Sequence, residues 1–400
     1  MAEEYKPLFN RTYLNLLVVG SALAIFLLTY SSRNESVFFE VDHYPDSALY
    51  TLEYDSERRQ LDLLLPTHTA LSSNDQLLQQ LMLQILQARS QGLSLAPGQG
   101  VEFSRYQDRL ELHLSWPEEQ NIPDIAAILE HLGQPVAWQD WKSTFARLKA
   151  KQYLNSQDTE SRLQARFFDL LSDNPDADPL RRLSHRFSQM FEQPRFVLSG
   201  PDLEAGIEQL TQSLHYPPRT ELAPATQPAL QSQLRESAAD KRYHLALGMQ
   251  IPPRQSPEFA RYRISAQLLQ DLLSQQGAGM GLEFRMRWAA LADRGYQLLI
   301  LHSDSDPQGK LSKLQQQLTA ERLEQSRDKL IKGWLSKMET PDKQAAALRS
   351  IAFYRLPAES LQQYVGQLQA VAADDLLKLA RQGLQAERQI SILVPPTLNR

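Results

Sequence analysis

The chain has 400 residues, with 42 basic and 47 acidic side chains, eight histidines and no cysteine, for a formal net charge of -5. Without cysteine there is no disulfide or thiolate chemistry, which fits an oxidising compartment without demanding one. Mild acidity with no long basic block excludes an electrostatic binder of nucleic acid.

The first element is an apolar run, Leu14 to Leu28, whose only polar side chains are Asn15 and Ser21. Tyr13 and Tyr30 flank it, where aromatic rings favour a membrane interface. From one tyrosine to the other, roughly 18 residues at about 1.5 Å each reach about 27 Å, enough for a thin hydrocarbon core. A cleaved leader would have a shorter run and a better small-residue site after it. Residues 1–33 therefore read as a cytoplasmic tip and one uncleaved transmembrane helix spanning residues 14–28. Lys6 and Arg11 precede the run and Arg33 follows it. The positive-inside bias then puts the body outside the cytoplasm, which in a bacterium means the inner membrane facing the periplasm.

The rest of the chain is longer than one hydrophobic core usually organises, so two domains are expected, 34–215 and 239–400. Between them, residues 216–238 hold four prolines, no apolar period and no strand signal, and read as a linker. In the first half, Gln60–Leu65 predicts a buried strand, and Ser73-Asn74-Asp75 predicts the cap of a helix over residues 77–89. Strands follow at Val101–Arg105 and Leu110–Ser115, the second alternating Leu110, Leu112 and Leu114. A helical tract broken by prolines comes next, and Arg195–Leu198 closes the half as a strand. The second half repeats the order: a strand at His244–Ile251, a helix after Pro257, strand candidates near Gly281–Trp288 (which reads equally as helix) and Tyr296–His302, helices, and a closing strand at Gln389–Val394. Element order alone predicts an internal duplication. The fold class expected is α+β, two similar halves, each an antiparallel-rich sheet packed with helices, preceded by one transmembrane helix.

Residues of chemical interest are sparse. A helix-borne zinc site needs two imidazoles three or four positions apart plus a carboxylate, and no two histidines here are closer than 18 residues. Glu130-His131 has Ala127 where a first ligand should stand, and reads as a helix C-terminus before Gly133. Gly277-Ala278-Gly279-Met280-Gly281 follows a helix rather than a strand, so it reads as a turn and not a phosphate loop. The pairs Asp173/Asp176 and Asp374/Asp375 read as loop and capping residues. The glutamine-rich helices, LLQQLMLQILQ among them, read most simply as solvated faces over apolar stripes, with a partner interface as the alternative.

In the second half the segments ISAQLLQDLL, GAGMG and LEFRMRWAALADRGYQLLIL, then LQQYVGQLQAVAADDLLKLARQGL and QISILV, come in an order that resembles the insulinase-like zinc metallopeptidases, which include pitrilysin and the mitochondrial processing peptidase. In the first half, FVLSGPDL resembles that family's closing strand and turn. The resemblance covers most of residues 40–396 by element order. It implies an inverted zinc motif on the first long helix and a glutamate ligand downstream, yet residues 77–89 contain neither His nor Glu. A zinc-bound water needs about three protein ligands, so the chain reads as a degenerate member with no catalytic residue, metal or cofactor. The resemblance also implies an Arg and a Tyr that contact bound peptide. Arg287 and Tyr296 are the nearest matches, with Arg285 and Arg294 as alternatives to Arg287, and the spacing departs from the pattern by a residue. The reading reached is a catalytically inactive, membrane-anchored, peptidase-like subunit that binds peptide and partners an active zinc peptidase. The alternatives are an active metallopeptidase with an unrecognised site, and a tethered scaffold with no peptidase link.

Overall fold

The computed structural model describes residues 40–172, 178–214, 232–237 and 240–397. In the first half, strands β1 (Asp42–Tyr44), β2 (Leu49–Glu53), β3 (Arg58–Pro66), β4 (Gly100–Arg105), β5 (Arg109–Pro117) and β6 (Arg195–Gly200) form one sheet in the order β1-β2-β6-β3-β5-β4. In the second, β7 (Ser232–Arg235), β8 (Tyr243–Ile251), β9 (Glu283–Ala290), β10 (Gly295–Ser303) and β11 (Ile390–Val394) form another, ordered β7-β11-β8-β10-β9. With β1 set aside, the two orders are the same when each half is numbered along the chain. Each sheet has one parallel pair, β2 with β6 and β7 with β11, and is otherwise antiparallel. The duplication expected from element order is therefore present strand for strand. Two members of it were not legible in the sequence: β2 is a short run buried on both faces, and β7 is a strand inside the segment read as a linker. Residues 216–231 of that segment lie outside the described residues.

One face of each sheet is covered by helices of its own half. In the first, Leu61, Leu63, Leu65, Leu110, Leu112, Leu114, Phe196 and Leu198 meet helix α1 (Ser73–Ser90) through Leu78, Leu81, Met82, Ile85 and Leu86. That spacing is one apolar stripe at helical period. The cap of α1 is Ser72, one residue before the predicted triplet; its hydroxyl accepts from the Asp75 amide at 3.1 Å and donates to the Asp75 carboxylate at 2.6 Å. In the second half, Leu245, Leu247, Leu299 and Leu301 meet Ile264, Leu268, Leu269 and Leu272 of the helix Phe259–Gln276.

The opposite faces are covered by exchange. Helix Thr159–Leu171, from the first half, lays Leu163, Phe167, Phe168 and Leu171 on Ala246, Leu298, Ile300, Ile390 and Ile392 of the second sheet. The packing is close enough that a Cβ on Gly248 would lie 2.1 Å from the Phe167 ring, so only glycine fits there. Reciprocally, helix Pro341–Tyr354 lies on the first sheet, on the face where β3 and β5 carry the buried Asp62 and Glu111. There Arg349 reaches Asp62 at 3.3 Å and Glu111 at 3.6 Å, and Asp62 also meets His113 at 2.6 Å. The Tyr54 hydroxyl donates to Asp342 at 2.9 Å, and burial, then that bond, pushes the phenol up to about 12.

The centre of this seam is Asp108, fully buried in the turn between β4 and β5. It accepts from the Tyr354 hydroxyl at 2.9 Å and the Ala292 amide at 3.1 Å, and pairs with Arg109 at 3.2 Å. Three segments of chain thus converge on one carboxylate. Burial pushes that carboxyl up from its ordinary value, against the pull of Arg109 and the two donors.

The membrane expectation is corrected here. No helix among the described residues is long and apolar enough to cross a membrane. Crossing takes about 20 mostly apolar residues, and the 18-residue helices Ser73–Ser90, Phe259–Gln276 and Ala320–Lys337 all carry polar or charged side chains along one side. The run Leu14–Leu28 itself lies outside the described residues. The transmembrane helix, the membrane as partner, and the inner-membrane, periplasm-facing location expected from sequence therefore have no support among the described residues.

Two predictions follow from the seam. Asp108→Ala leaves the Tyr354 hydroxyl and the Ala292 amide buried without their acceptor and Arg109 with Glu111 alone, so it should cost about 3–5 kcal/mol in urea unfolding, while Glu283→Ala at the exposed pair with Arg242 should change stability by less than about 0.5 kcal/mol. At the far side of the second sheet, burial, then His244, holds His302 below the ordinary imidazole value, against Glu160 and Glu283. The folded chain then binds fewer protons there than the unfolded one. The stability it contributes is full above about pH 6.5 and is lost as pH falls, so His302→Gln should flatten the drop in melting temperature between about pH 7 and pH 5.

Candidate functional site

A cavity of about 590 Å³ opens along the seam between the halves. The first two turns of α1 contribute Gln76 and Gln79, the β4–β5 hairpin contributes Arg105 to Arg109, and the exchanged helices contribute Gln164, Ser350 and Tyr354. From the second half come Arg254, Phe259, the stretch Arg287 to Leu291 on and after β9, and Tyr296 at the start of β10. Two of the strands that reach the cavity, β4 and β9, are the terminal strands of their sheets.

Its electrostatics are one-sided. Four arginines line it against a single carboxylate, Asp108. Arg109 is spoken for: besides Asp108 it pairs with Glu111 at 2.6 Å, and its guanidinium lies over the rings of Tyr106 and Phe353, at 4.1 and 4.7 Å. Tyr354 stays protonated, because burial and then the Asp108 charge push its phenol up. The Arg254 guanidinium lies 3.6 Å from the centre of the Phe259 ring, and burial pushes its charge toward loss.

The two residues predicted to touch peptide, Arg287 and Tyr296, line this same cavity. They are not equivalent. Arg287 is exposed on the edge strand. Tyr296 is 6% exposed, donates its hydroxyl to Gln107 at 2.9 Å, and stands edge-on to Phe168 with ring centres 4.8 Å apart. Burial pushes the Tyr296 phenol up, opposed by Gln107 and Arg287. The alternatives to Arg287 are engaged elsewhere: Arg285 pairs with Glu160 at 2.6 Å, and Arg294 with Asp293 at 3.2 Å.

Five residues of the cavity, Gln76, Gln79, Gln164, Arg105 and Arg254, were missed from sequence. Gln76, Gln79 and Gln80 stand at i, i+3 and i+4 of α1, the spacing of an inverted zinc motif, H-x-x-E-H. Gln164 on the exchanged helix faces the same space as Gln76 and Gln79. The run had been read as a solvated face, yet Gln79 is 3% exposed. The spacing was the available signal; the amide identity hid it. The remaining two, Arg105 and Arg254, have no local sequence mark.

These residues do not fit a zinc ion. Its protein ligands are imidazole, thiolate or carboxylate, and here the helix offers neutral amides already in use. Gln79 donates to the Thr67 hydroxyl at 2.8 Å and Gln76 to the Leu71 carbonyl at 2.8 Å. Among the described residues no group of three His, Asp or Glu side chains is disposed to hold a metal. His131 contacts the Arg89 carbonyl at 3.0 Å, beside the helix end that Gly133 terminates. Asp374 and Asp375 lie in the first turn of helix Ala373–Gln382 and make no capping bond. Gly281, at φ +61°, turns the chain from helix into β9. Asp173, Asp176 and His215 lie outside the described residues.

Two pseudo-repeated sheet-and-helix halves with a cavity on their seam are a fold shared with solved structures described as M16 peptidases or domains of them. A peptidase M16 inactive domain from Pseudomonas fluorescens superposes with a TM-score of 0.63 at 16% identity, over 90% of this chain and 99% of that one. A protease from Helicobacter pylori gives 0.60 at 12% identity over the same shares. The periplasmic protease PqqL from Escherichia coli gives 0.58 at 14% identity, over 90% of this chain and 48% of that one. No protein-family model and no curated protein sequence matches the chain. At such identities the likeness is one of fold.

Because Tyr296 is built into the seam and Arg287 is not, the two should separate by mutation. Tyr296→Phe removes one buried hydrogen bond and should lower unfolding free energy by about 0.5–1.5 kcal/mol, whereas Arg287→Gln should stay within about 0.5 kcal/mol of the parent; chemical denaturation of both variants checks this.

Proposed function

We propose that this chain is a non-catalytic member of the insulinase-like family. Its two peptidase-like domains bind an extended peptide in the cavity and work beside an active zinc peptidase subunit. The observation that carries the reading is the amide set on α1: Gln76, Gln79 and Gln80 stand at inverted-motif spacing, where a hydrolase needs imidazole and carboxylate. A neutral amide neither holds the metal nor takes a proton from a bound water, so the helix keeps its place and loses its chemistry. The likeness to a Pseudomonas fluorescens domain described as inactive supports the same reading.

Peptide binding is supported by the edges. β4 and β9 each end their sheet, so one side of each strand has backbone donors and acceptors available to an added strand. Arg105 ends β4 and Arg287 stands within β9, and both line the cavity. Arg287 would reach the peptide directly. Tyr296 would hold the wall behind it through Gln107.

The test has two parts. The purified full chain should hold well under one zinc per chain by elemental analysis and should leave peptide mixtures uncut. Crosslinked from its native cells, it should recover a zinc peptidase carrying the full motif. About one tightly held zinc per chain, with proteolysis that a chelator abolishes, would falsify the reading in favour of an active metallopeptidase. Recovery of partners with no peptidase among them would favour a scaffold role instead.

A further inference from the structure

The charges of the cavity are not closed within the protein. Asp108 is saturated by Arg109, Tyr354 and the Ala292 amide, and Arg109 is matched by Asp108 and Glu111. That leaves Arg105, Arg254 and Arg287. None of the three has a carboxylate within ion-pair distance among the described residues, and the nearest acceptor to Arg105 is the Gln76 carbonyl at a long 3.4 Å.

Arg254 is the informative one. A surface arginine without a partner is ordinary, because water satisfies it. Arg254 is half-buried, is stacked on Phe259, and lines the cavity with no hydrogen-bond acceptor among the described residues. Stacking a guanidinium on a ring leaves its edge donors pointing along the plane, the geometry that grips a planar carboxylate with two bonds. Leaving such a charge partly desolvated and unmatched is unfavourable, and an incoming anion removes the mismatch. The cavity is of ligand size, and two strand edges flank it, which fits an extended chain better than a small free ion.

We propose that the cavity selects acidic peptide: an extended segment seated along a strand edge, with its carboxylates taken by Arg254, Arg287 and Arg105. This rests on the peptide-binding reading above and adds the charge of the ligand to it. The amides of Gln76, Gln79 and Gln164, where carboxylates or a metal would otherwise stand, keep that wall neutral and so leave the arginine field undiminished.

Fluorescence anisotropy of the full chain with three short peptides tests it. The peptides share one apolar skeleton and carry Glu, Gln or Lys at the same positions. The Glu peptide should bind about tenfold more tightly than the Gln peptide, and the Lys peptide more weakly still. Rising ionic strength should narrow the gap. Arg287→Gln, at an exposed position that leaves folding untouched, and Arg254→Gln, checked by its melting curve, should each lower Glu-peptide affinity about fivefold and barely move Gln-peptide affinity. Equal binding of Glu and Gln peptides overturns charge selection while the peptide-binding reading stands. No binding by any peptide overturns both. A Glu preference that survives both variants, or complete displacement by inorganic phosphate at matched ionic strength, overturns the assignment to these arginines or to a peptide.

Discussion

A sheet that is buried on both faces must find cover for each, and here neither half can cover its second face alone. Helix Thr159–Leu171 of the first half closes the second sheet, and helix Pro341–Tyr354 of the second half closes the first. The two closures differ in chemistry. The second sheet offers Ala246, Leu298, Ile300 and Ile392, so its cover is apolar and close, with Gly248 set directly against Phe167. The first offers Asp62, Glu111 and the hairpin carboxylate Asp108, so its cover brings Arg349 to the first two and the Tyr354 hydroxyl to the third. One exchange is held by area removed from water, the other by paired charge that would be costly to leave half-made.

The cavity is a consequence of that exchange. Because the covering helices cross from one half to the other, the start of α1, the β4–β5 hairpin, Arg254 and the β9–β10 hairpin are brought around one space that neither half encloses. Asp108 pins the hairpin of one half to the backbone of the other through Ala292 and to the exchanged helix through Tyr354. Residues far apart in sequence, such as Gln76 and Arg287, become neighbours of one ligand-sized volume. In a hydrolase of this fold the same convergence would serve to bring substrate to a metal. Here the start of α1 offers the amides of Gln76 and Gln79, which already bond the Leu71 carbonyl and the Thr67 hydroxyl, and the same cavity is lined by four arginines.

Much of the architecture was legible along the chain because its signals are local. Alternating Leu110, Leu112 and Leu114 mark a strand with one core face, and the stripe from Leu78 to Leu86 marks a helix. Repetition of the element order exposed the duplication. β2 escaped because a short strand buried on both faces has no alternation to read. β7 escaped because it sits in proline-rich sequence and is held by pairing with β11, 158 residues later in the register Ser232 to Ile390. Gln79 was misread as solvated because an amide on a helix surface looks the same whether water or another half of the molecule covers it.

By itself, the sequence determined that two similar α+β halves form, that no thiol chemistry is possible, and that the first long helix lacks His and Glu, since each of these depends only on residue identity and short-range period. It also pointed to Arg287 and Tyr296. Only the tertiary structure decided that both line one cavity, and that Tyr296 is tied to Gln107 while Arg287 is exposed. It also decided that Arg105 and Arg254 share the space, with neither matched by a carboxylate among the described residues. The reason is physical: the net charge of a chain is a sum, but the charge of a cavity depends on which arginines the fold pairs and which it leaves facing the opening. That pairing is made across the seam, by contacts that no local pattern encodes.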